Sequence, residues 1–224
     1  MTLGVLGGTF DPIHNGHVAA ACAAQEALKL DEIVLVPSHV PPHRAHPAGA
    51  TSEQRYAMAQ LAASDQPGWS ASRLELDRAG RSYTYDTLVA IRERLRATAA
   101  MSEARGDVRG GASSPVEWQI FFILGADAFA EIATWSRYPA VLDLSNFVVV
   151  SRPGITLDSL RERVPSAFQL RPSAETRVIL VDAHTPDISA TDIRRRVRAG
   201  DSIRGLVPAA VEHYISTHRL YRGQ

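Results

Sequence analysis

Two histidines, His14 and His17, stand one helical turn apart in the stretch GGTFDPIHNGH, which directly follows the apolar run LGVL. Residues three apart on a helix share a face, so both imidazoles can reach the same phosphate oxygens. The paired glycines Gly7 and Gly8 lack Cβ atoms and let backbone N–H groups approach an anion closely. A helix that begins near Asn15 would point its positive end at the same place. These residue types predict a phosphate-binding junction between a strand and a helix.

The same stretch allows a metal site as an alternative, because Asp11 could complete a ligand triad with the two histidines. Carboxylate and imidazole ligands would not also require paired glycines and a helix start, whereas a phosphate cradle uses all of them. Gly16 would keep the space between the two imidazoles clear. The stretch matches neither GxGxxG nor GxxxxGK[ST], the two commonest nucleotide-binding fingerprints. A different phosphate chemistry is therefore favoured over a metal site.

A second candidate anion site lies near the other end of the chain, in DISATDIRRR. Ser189 and Thr191 fall at a predicted helix N-terminus and offer hydroxyl and backbone donors. Arg194, one turn further on, can reach a phosphate with its guanidinium group. Taken alone, this pattern is typical of an ordinary capped helix with an exposed basic face. Its combination with the first junction favours a polyphosphate held between the two.

The composition is that of a globular protein without net charge. The 224 residues suffice for one large domain or two small ones. Because 24 basic side chains cancel 24 acidic ones, no net field attracts nucleic acid or an anionic membrane, and the short RRRVR run does not change that. Cys22 is the only cysteine, which excludes an intrachain disulfide and is typical of a reducing compartment. With neither a signal-peptide pattern nor a membrane-spanning apolar stretch, the expected location is cytoplasmic.

Apolar runs alternate with helix patterns along the chain. Strands are predicted at Thr2 to Leu6, Glu32 to Pro37, Trp69 to Leu76, Glu117 to Leu124, Asn146 to Ser151 and Arg177 to Val181. Helices are predicted at Val18 to Leu30, Thr51 to Ser64, Asp86 to Thr98, Ser189 to Ala199 and Pro208 to Thr217. This order predicts one α/β domain over residues 1–224, with a mostly parallel sheet covered by helices on both faces.

Two segments are predicted to be irregular. Ser38 to Ala50 contains three prolines and a glycine, which exclude regular structure. Its histidines His39, His43 and His46 match no common zinc spacing, so a solvated or substrate-closing loop is favoured over a metal site. Met101 to Glu117 is polar and rich in glycine and serine, and it predicts a mobile insertion.

The motifs GGTFDPIHNGH and ISATDIR together resemble the nucleotidyltransferases of the HxGH type, and the resemblance runs from end to end of the chain. Within them, SHVPPHR, SYTYDTL and GADAFAEIATW point to the bacterial nicotinate-mononucleotide adenylyltransferases. The resemblance implies a Rossmann-like, doubly wound fold. It also implies that ATP and nicotinate mononucleotide, with Mg²⁺, give the deamido dinucleotide and pyrophosphate in NAD synthesis.

The resemblance carries family roles onto matching positions. It implies three catalytic residues, His14, His17 and Arg194. It implies that ATP is bound by Gly7, Gly8, Thr9, Phe10, Gly16, Arg44, Ser189 and Thr191. It implies that nicotinate mononucleotide is bound by Thr84, Tyr85, Asp127 and Trp135. Trp135 could equally be a core residue, since a lone tryptophan most often is.

Two positions depart from the family pattern. Arg44 stands where the family usually has lysine in PPHK, and its planar fork differs from a compact ammonium. Ala190 stands where a second serine is common, which removes one hydroxyl donor. Both leave the residues implied as catalytic in place.

The implied reaction needs no enzyme base, because the substrate phosphate, with a second pKa of about 6, is itself the nucleophile. The sequence fits this, since no nucleophile-base pair is recognisable in it. Mg²⁺ is expected to arrive on the ATP phosphates, without protein ligands. Two alternatives stay open: adenylyl or cytidylyl transfer to another acceptor such as phosphopantetheine, and a nucleotide sensor without turnover. A homo-oligomer is also possible.

Overall fold

Six strands form one parallel sheet that organises the molecule. The computed structural model describes residues 1–40, 49–104, 117–151, 156–167, 178–183 and 185–222. The strands are β1 (Thr2–Gly8), β2 (Glu32–Pro37), β3 (Trp69–Ala71), β4 (Gln119–Gly125), β5 (Asn146–Ser151) and β6 (Val178–Asp182). Their spatial order is β3-β2-β1-β4-β5-β6, and every neighbouring pair is parallel. This order is that of a doubly wound, Rossmann-like sheet, as predicted.

Helices cover both faces of this sheet. They are α1 (Asn15–Leu28), α2 (Ser52–Ser64), α3 (Thr84–Ala104), α4 (Ala126–Ala130), α5 (Leu157–Arg163), α6 (Ala190–Ala199) and α7 (Ala209–Thr217). Buried residues of α1, α2, α6 and α7 pack on one face, and those of α3, α4 and α5 pack on the other. The predicted two-sided α/β fold is confirmed.

The middle of the long strands is apolar at consecutive positions because successive side chains enter different cores. In β4, Phe121 and Ile123 pack with the α1 face, whereas Phe122 and Leu124 pack with the α3 face. A parallel strand covered on both sides must be apolar at consecutive positions, which is why periodicity alone reveals it as an uninterrupted run.

The chain reverses its direction of winding between β1 and β4. From β1 it proceeds outward to β2 and β3, then returns across the sheet to β4 beside β1. The connections that follow β1 and β4 run toward opposite edges of the sheet. At such a point a crevice opens at the carboxyl ends of the two strands, and ligands of such sheets bind in it. The residues after β1 and β4 are therefore placed to form a site.

The second helix starts where its capping pattern predicts. Thr51 accepts the N–H of Gln54 with its hydroxyl at 3.2 Å, and the Gln54 side chain accepts the N–H of Thr51 at 2.9 Å. These two bonds satisfy helix N–H groups that would otherwise lack a partner. The bounds of β2, β5 and α2 agree closely with the sequence prediction. Helix α1 begins at Asn15, as the first motif predicts, and not at Val18, where its alanine-rich pattern begins.

The predicted third strand is wrong beyond Ala71. The sheet bonding ends when Ser72 donates its N–H to the Leu35 carbonyl at 2.8 Å. Arg73 then leaves the sheet and pairs with Glu53 of α2 at 2.7 Å. In this turn Arg73 gains a charged partner that it would lack in a strand. The alternation of apolar and polar residues after Ala71 therefore belongs to a turn.

The third helix is longer than predicted. It continues to Ala104 and so includes the first residues of the segment Met101 to Glu117, which the sequence analysis treated as an insertion. Alanine, methionine and glutamate near its end favour helix, which explains the extension. Residues 105–116 lie outside the described part of the chain, and their mobility stays a prediction. Among the described residues, none of the helices is both long and apolar enough to cross a membrane.

Candidate active site

A cavity of about 190 Å³ lies at the crevice between β1 and β4. Its walls come from the ends of β1, β4 and β5, the first turns of α1 and α4, and the segment before α6. The lining residues are Leu6, His14, Gly16, His17, Ala20, Leu124, Gly125, Ala126, Asp127, Val150, Thr185, Pro186 and Ile188. Whole-ligand pockets commonly measure roughly 300–1,000 Å³, so this cavity can hold one part of a nucleotide.

The two motif histidines meet in this cavity. Their ring centroids are 3.7 Å apart and their planes are inclined by 30°. His14 immediately precedes α1 in an extended conformation, with φ −144° and ψ 169°, and His17 lies in the first helical turn. The prediction that both imidazoles share one face of the helix start is confirmed.

The tautomer of His17 follows from its backbone contact. Its Nδ1 accepts the N–H of His14 at 3.2 Å, so the proton of the neutral ring must be on Nε2. His17 can therefore present an Nε2–H donor to a ligand. The Nδ1 atom of His14 is buried and has no hydrogen-bond partner among the described residues, which is unusual for a buried polar atom and suggests that a ligand supplies one.

Burial keeps both imidazoles uncharged at neutral pH. It lowers the pKa of His14 to about 4. Burial and the adjacent His14 lower the pKa of His17 to about 3. The motif predicts that these residues neutralise phosphate charge, but without ligand they are neutral N–H donors, about half as strong as charged ones. An approaching polyphosphate would favour the protonated forms and raise both pKa values.

Glycines allow close packing on both sides of the histidine pair. A Cβ on Gly16 would lie 3.1 Å from His14 Nδ1 and 3.4 Å from the Pro186 carbonyl oxygen. A Cβ on Gly8 would lie 2.7 Å from the Phe10 ring. That ring is 1% exposed and meets His17 edge-on with centroids 5.2 Å apart. Phe10 therefore supports His17, and only its backbone is available to a nucleotide.

The first turn of α1 has fewer free N–H groups than the motif suggests. The N–H of Asn15 donates to the Leu206 carbonyl at 2.9 Å, and its side chain donates to the Gly205 carbonyl at 2.8 Å. The N–H of His17 turns back to the His14 carbonyl at 2.9 Å. The loop before α7 thus fixes the start of α1. Because these N–H groups are occupied, the imidazoles provide most of the hydrogen-bonding atoms that can reach a ligand.

Arg194 ties the second motif to the first. Its Nη1 donates to the Asp11 backbone carbonyl at 2.6 Å and approaches the Asp11 carboxylate at 3.5 Å. Its Nη2 donates to the Thr191 hydroxyl at 3.1 Å. A guanidinium group carries five N–H donors, so two of them keep no partner among the described residues and are available to an anion. Neither Arg194 nor Asp11 lines the described cavity, and Arg194 is connected to the first motif by its bond to Asp11.

Asp11 is fully engaged in fixing the chain and is not placed as a metal ligand. Its carboxylate, 1% exposed, accepts the N–H groups of Gly49 and Ala50 at 2.9 and 3.0 Å. It also accepts the hydroxyl of Tyr221 at 3.0 Å. Burial and the Asp11 charge raise the pKa of Tyr221, so its phenol remains a donor. No group of three His, Cys, Asp or Glu side chains in the described ranges is arranged to hold a metal ion.

The start of α6 combines an ordinary cap with possible ligand donors. The Ser189 hydroxyl accepts the N–H of Asp192 at 3.1 Å, which is the capping role considered as an alternative. The Thr191 hydroxyl accepts from Arg194. A hydroxyl that accepts one bond keeps its own O–H to donate, so both side chains can still bind a phosphate.

The residues implied for the acceptor belong to the start of α3, to α4 and to the segment after α4. Asp127 is exposed in the first turn of α4 and lines the cavity. Thr84 and Tyr85 open α3, and the Arg137 guanidinium lies 4.7 Å from the centre of the Tyr85 ring. Trp135 is half-buried and meets Phe122 edge-on at 6.0 Å, so it is partly core and partly accessible. Apart from Asp127, these residues do not line the described cavity.

Three predicted loop positions lie outside the described residues, namely Arg44, His43 and His46. Their contribution to phosphate binding or to loop closure stays a prediction. Gly7 and Thr9 are half-buried at the carboxyl end of β1, where the sequence analysis expected them.

One buried arginine near the site was missed by sequence reasoning. Arg55 of α2 is 2% exposed and donates to the carbonyls of Thr9 at 2.7 Å, Ser38 at 2.6 Å and His39 at 3.2 Å. It thereby joins the ends of β1 and β2. An arginine within a helix normally indicates a solvent-facing position, so the pattern contained no signal for this contact.

Sequence comparison relates the chain to a set of adenylyltransferases. A family model described as cytidylyltransferase-like matches residues 5–196. A probable nicotinate-nucleotide adenylyltransferase of Citrifermentans bemidjiense is 39% identical over 232 residues, covering 99% of this chain and 98% of that relative. One of Roseiflexus sp. is 39% identical over 220 residues, covering 98% of each.

Solved structures agree in fold. The nicotinic acid mononucleotide adenylyltransferase of Plasmodium falciparum complexed with NaAD has a TM-score of 0.67 and 16% identity, covering 98% of this chain and 97% of that one. Its complex with APC gives the same score. At this identity the likeness concerns the fold alone.

The low pKa values of His14 and His17 should make the free energy of unfolding depend on pH. Because their pKa is lower in the folded chain than in the unfolded one, the unfolded state binds more protons below about pH 6.5. Stability should therefore fall between pH 7 and 5.5 by about 1 kcal/mol for each histidine. Urea unfolding at both pH values should show this loss in the wild type and a smaller loss in His14→Asn and His17→Asn.

His213, an exposed histidine of α7, provides the control. The variant His213→Asn should keep the wild-type loss of stability. Equal losses in the wild type and in both motif variants would contradict the assignment of buried, neutral imidazoles.

Proposed function

The chain belongs to the nicotinate-nucleotide adenylyltransferases, within the cytidylyltransferase-like family, and we propose that it transfers the adenylyl group of ATP to nicotinate mononucleotide. The products are nicotinate adenine dinucleotide and pyrophosphate. The observation that supports this most is the joining of the two motifs, in which Arg194 bonds to Asp11 just before the histidine pair. A nucleoside triphosphate laid along this edge would meet both motifs at once.

The proposed reaction is a direct in-line displacement. A phosphate oxygen of nicotinate mononucleotide attacks the α-phosphorus of ATP and forms a new P–O bond. The bond from that phosphorus to the oxygen bridging the β-phosphate breaks, and its electron pair leaves with pyrophosphate. With a second pKa of about 6, the attacking phosphate is mostly dianionic at neutral pH, so no enzyme base is required.

The protein's task is to align two anions and stabilise the charge that moves onto the leaving group. His17 can donate from Nε2. The buried Nδ1 of His14 has no hydrogen-bond partner among the described residues, so a phosphate oxygen can bind there. Arg194 offers a permanent positive charge at the start of α6. We assign these three residues to the ATP phosphates, with Ser189 and Thr191 as further donors.

The acceptor is proposed to lie beside α3 and α4. Thr84 and Tyr85 lie in the first turn of α3, where N–H groups without helical partners can bind the carboxylate that distinguishes nicotinate from nicotinamide. Trp135 is half-buried and can stack its accessible part on the pyridine ring. Asp127, the fourth residue assigned to the acceptor, lines the cavity together with the two histidines.

Mg²⁺ fits this site as a companion of ATP. In the described cavity Asp127 is the one carboxylate, and a Mg²⁺ ion held by substrate phosphates and water needs no protein cage. When bound, the ion would neutralise charge on the β- and γ-phosphates. The protein residues named above would orient those phosphates.

The acceptor assay tests the function directly. Purified protein is incubated with ATP and Mg²⁺ and either the acid or the amide mononucleotide, and pyrophosphate release is measured with and without a chelator. We expect turnover with the acid, weaker turnover with the amide and none with the chelator. Calorimetric ATP binding without any product would indicate a nucleotide sensor, and a preference for phosphopantetheine would indicate another acceptor.

The histidine pair gives a second test. We expect His17→Ala to fold cooperatively but to lower kcat at least about a hundredfold, which is the loss of one transition-state donor worth roughly 2.7–4 kcal/mol. Steady-state kinetics and urea unfolding measure the two effects, and His213→Ala is the matched control. Near-normal turnover in His17→Ala would remove this residue from the phosphate site.

A further inference from the structure

A buried carboxylate lies beside the proposed acceptor site and has no part in the reaction described above. Glu75, in the turn after β3, is 7% exposed. Its Oε1 accepts the Thr87 hydroxyl at 2.5 Å, and it also accepts the Ser82 hydroxyl. A buried carboxylate is costly unless it is hydrogen-bonded, so these two hydroxyls are what allow it to remain there.

Ser82 connects this carboxylate to the segment that follows β2. The Ser82 hydroxyl oxygen accepts the N–H of His39 at 2.8 Å. The Ser82 N–H donates to the Val40 carbonyl at 2.9 Å. The chain of bonds therefore runs from the His39 amide through the Ser82 hydroxyl to Glu75.

Two cations act on Glu75, one from its own turn and one from α2. Arg78, in the same turn, donates to the Thr87 hydroxyl oxygen at 3.4 Å. Arg55 of α2 holds the Ser38 and His39 carbonyls on the far side of the same segment. Both positive charges lower the pKa of Glu75, although burial outweighs them and raises it.

We propose that Glu75 is a positioning residue for the acceptor, because its hydrogen bonds fix the start of α3 against residues 38–40. Thr84 and Tyr85 lie between its two partners, Ser82 and Thr87, so any shift of these partners moves the acceptor residues. This inference rests on the proposed function for its assignment of the acceptor. The coupling between the two segments rests on the hydrogen bonds alone.

The directions of these bonds favour an ionised carboxylate. The Ser82 oxygen accepts from His39, and the Thr87 oxygen accepts from Arg78, which leaves both hydroxyl protons to donate. The shorter bond of Thr87 goes to Glu75 at 2.5 Å, and its other acceptor, the Tyr83 carbonyl, lies at 3.2 Å. A carboxylate accepts both, whereas a protonated acid or an amide turns one donor toward one of the two hydroxyls. Glutamine has nearly the same volume and should disturb this network without leaving a cavity.

The variant Glu75→Gln tests the proposal through its kinetics. We expect the KM for nicotinate mononucleotide to rise about tenfold, the effect of losing one good hydrogen bond to a charged group. The KM for ATP and kcat should stay within about twofold. As the pH is lowered, the wild-type acceptor KM should approach that of Glu75→Gln measured at the same pH, because protonation of Glu75 removes the same acceptor.

Hydrogen exchange supplies a readout that does not depend on catalysis. The amides of His39 and Ser82 should exchange faster in Glu75→Gln than in the wild type, because the bonds that protect them weaken. Glu53→Gln is the matched control, since Glu53 pairs with Arg73 at the surface of α2. It should leave both KM values and both exchange rates unchanged.

Several results would overturn the inference. Unchanged exchange at His39 and Ser82 would disprove the coupling. Faster exchange with equal increases of both KM values would mean that Glu75 stabilises the fold in general and does not position the acceptor residues. A wild-type protein that fails to adenylate nicotinate mononucleotide would instead disprove the proposed function, and with it the assignment of the acceptor, while the exchange rates would still report on the coupling.

Discussion

The bond between Arg194 and the Asp11 backbone holds the site together, because it connects segments 183 residues apart in sequence. Asp11 follows β1, and Arg194 lies in the first turns of α6. The Asp11 carboxylate also accepts backbone N–H groups at the start of α2 and the hydroxyl of Tyr221 near the C-terminus. A buried carboxylate with this many donors is restricted to one position. The segment after β1 and the first turns of α6 are therefore joined before any ligand binds, which in the proposed function would reduce the ordering cost of binding a flexible triphosphate.

The histidine pair shows how burial and ligand charge oppose each other at this site. Packing two imidazoles 3.7 Å apart in a partly apolar cavity makes either positive charge unfavourable. In the proposed function, a bound polyphosphate would reverse this balance by supplying negative charge and a partner for the Nδ1 atom of His14, which has none among the described residues. The histidine pair is consequently neutral without a ligand. In the proposed function, a neutral donor pair would avoid a strong ground-state attraction for every phosphate in solution, and Arg194 with the proposed Mg²⁺ would provide the charge.

The sequence predicted the parts of the molecule that local patterns encode. Apolar runs identified the strands because a two-sided parallel sheet leaves few polar positions, and the Thr51 and Gln54 pair located the start of α2. The pairing of His14 with His17 followed from helical spacing. What it could not predict depends on contacts between distant segments: the engagement of Asp11, the burial of Arg55 within a helix, and the turn of Arg73 toward Glu53. An isolated acidic or basic residue has the same local pattern whether it faces solvent or fills a core.

The structure of the protein with a non-hydrolysable ATP analogue and Mg²⁺ is the most direct test of a single triphosphate site shared by the two motifs. Phosphate oxygens are expected within hydrogen-bonding distance, about 2.7–3.2 Å, of both His17 Nε2 and the Arg194 guanidinium. The Arg194 bond to the Asp11 carbonyl should persist in the complex. Phosphates that contact only one of the two motifs, or that lie away from the crevice between β1 and β4, would contradict this arrangement.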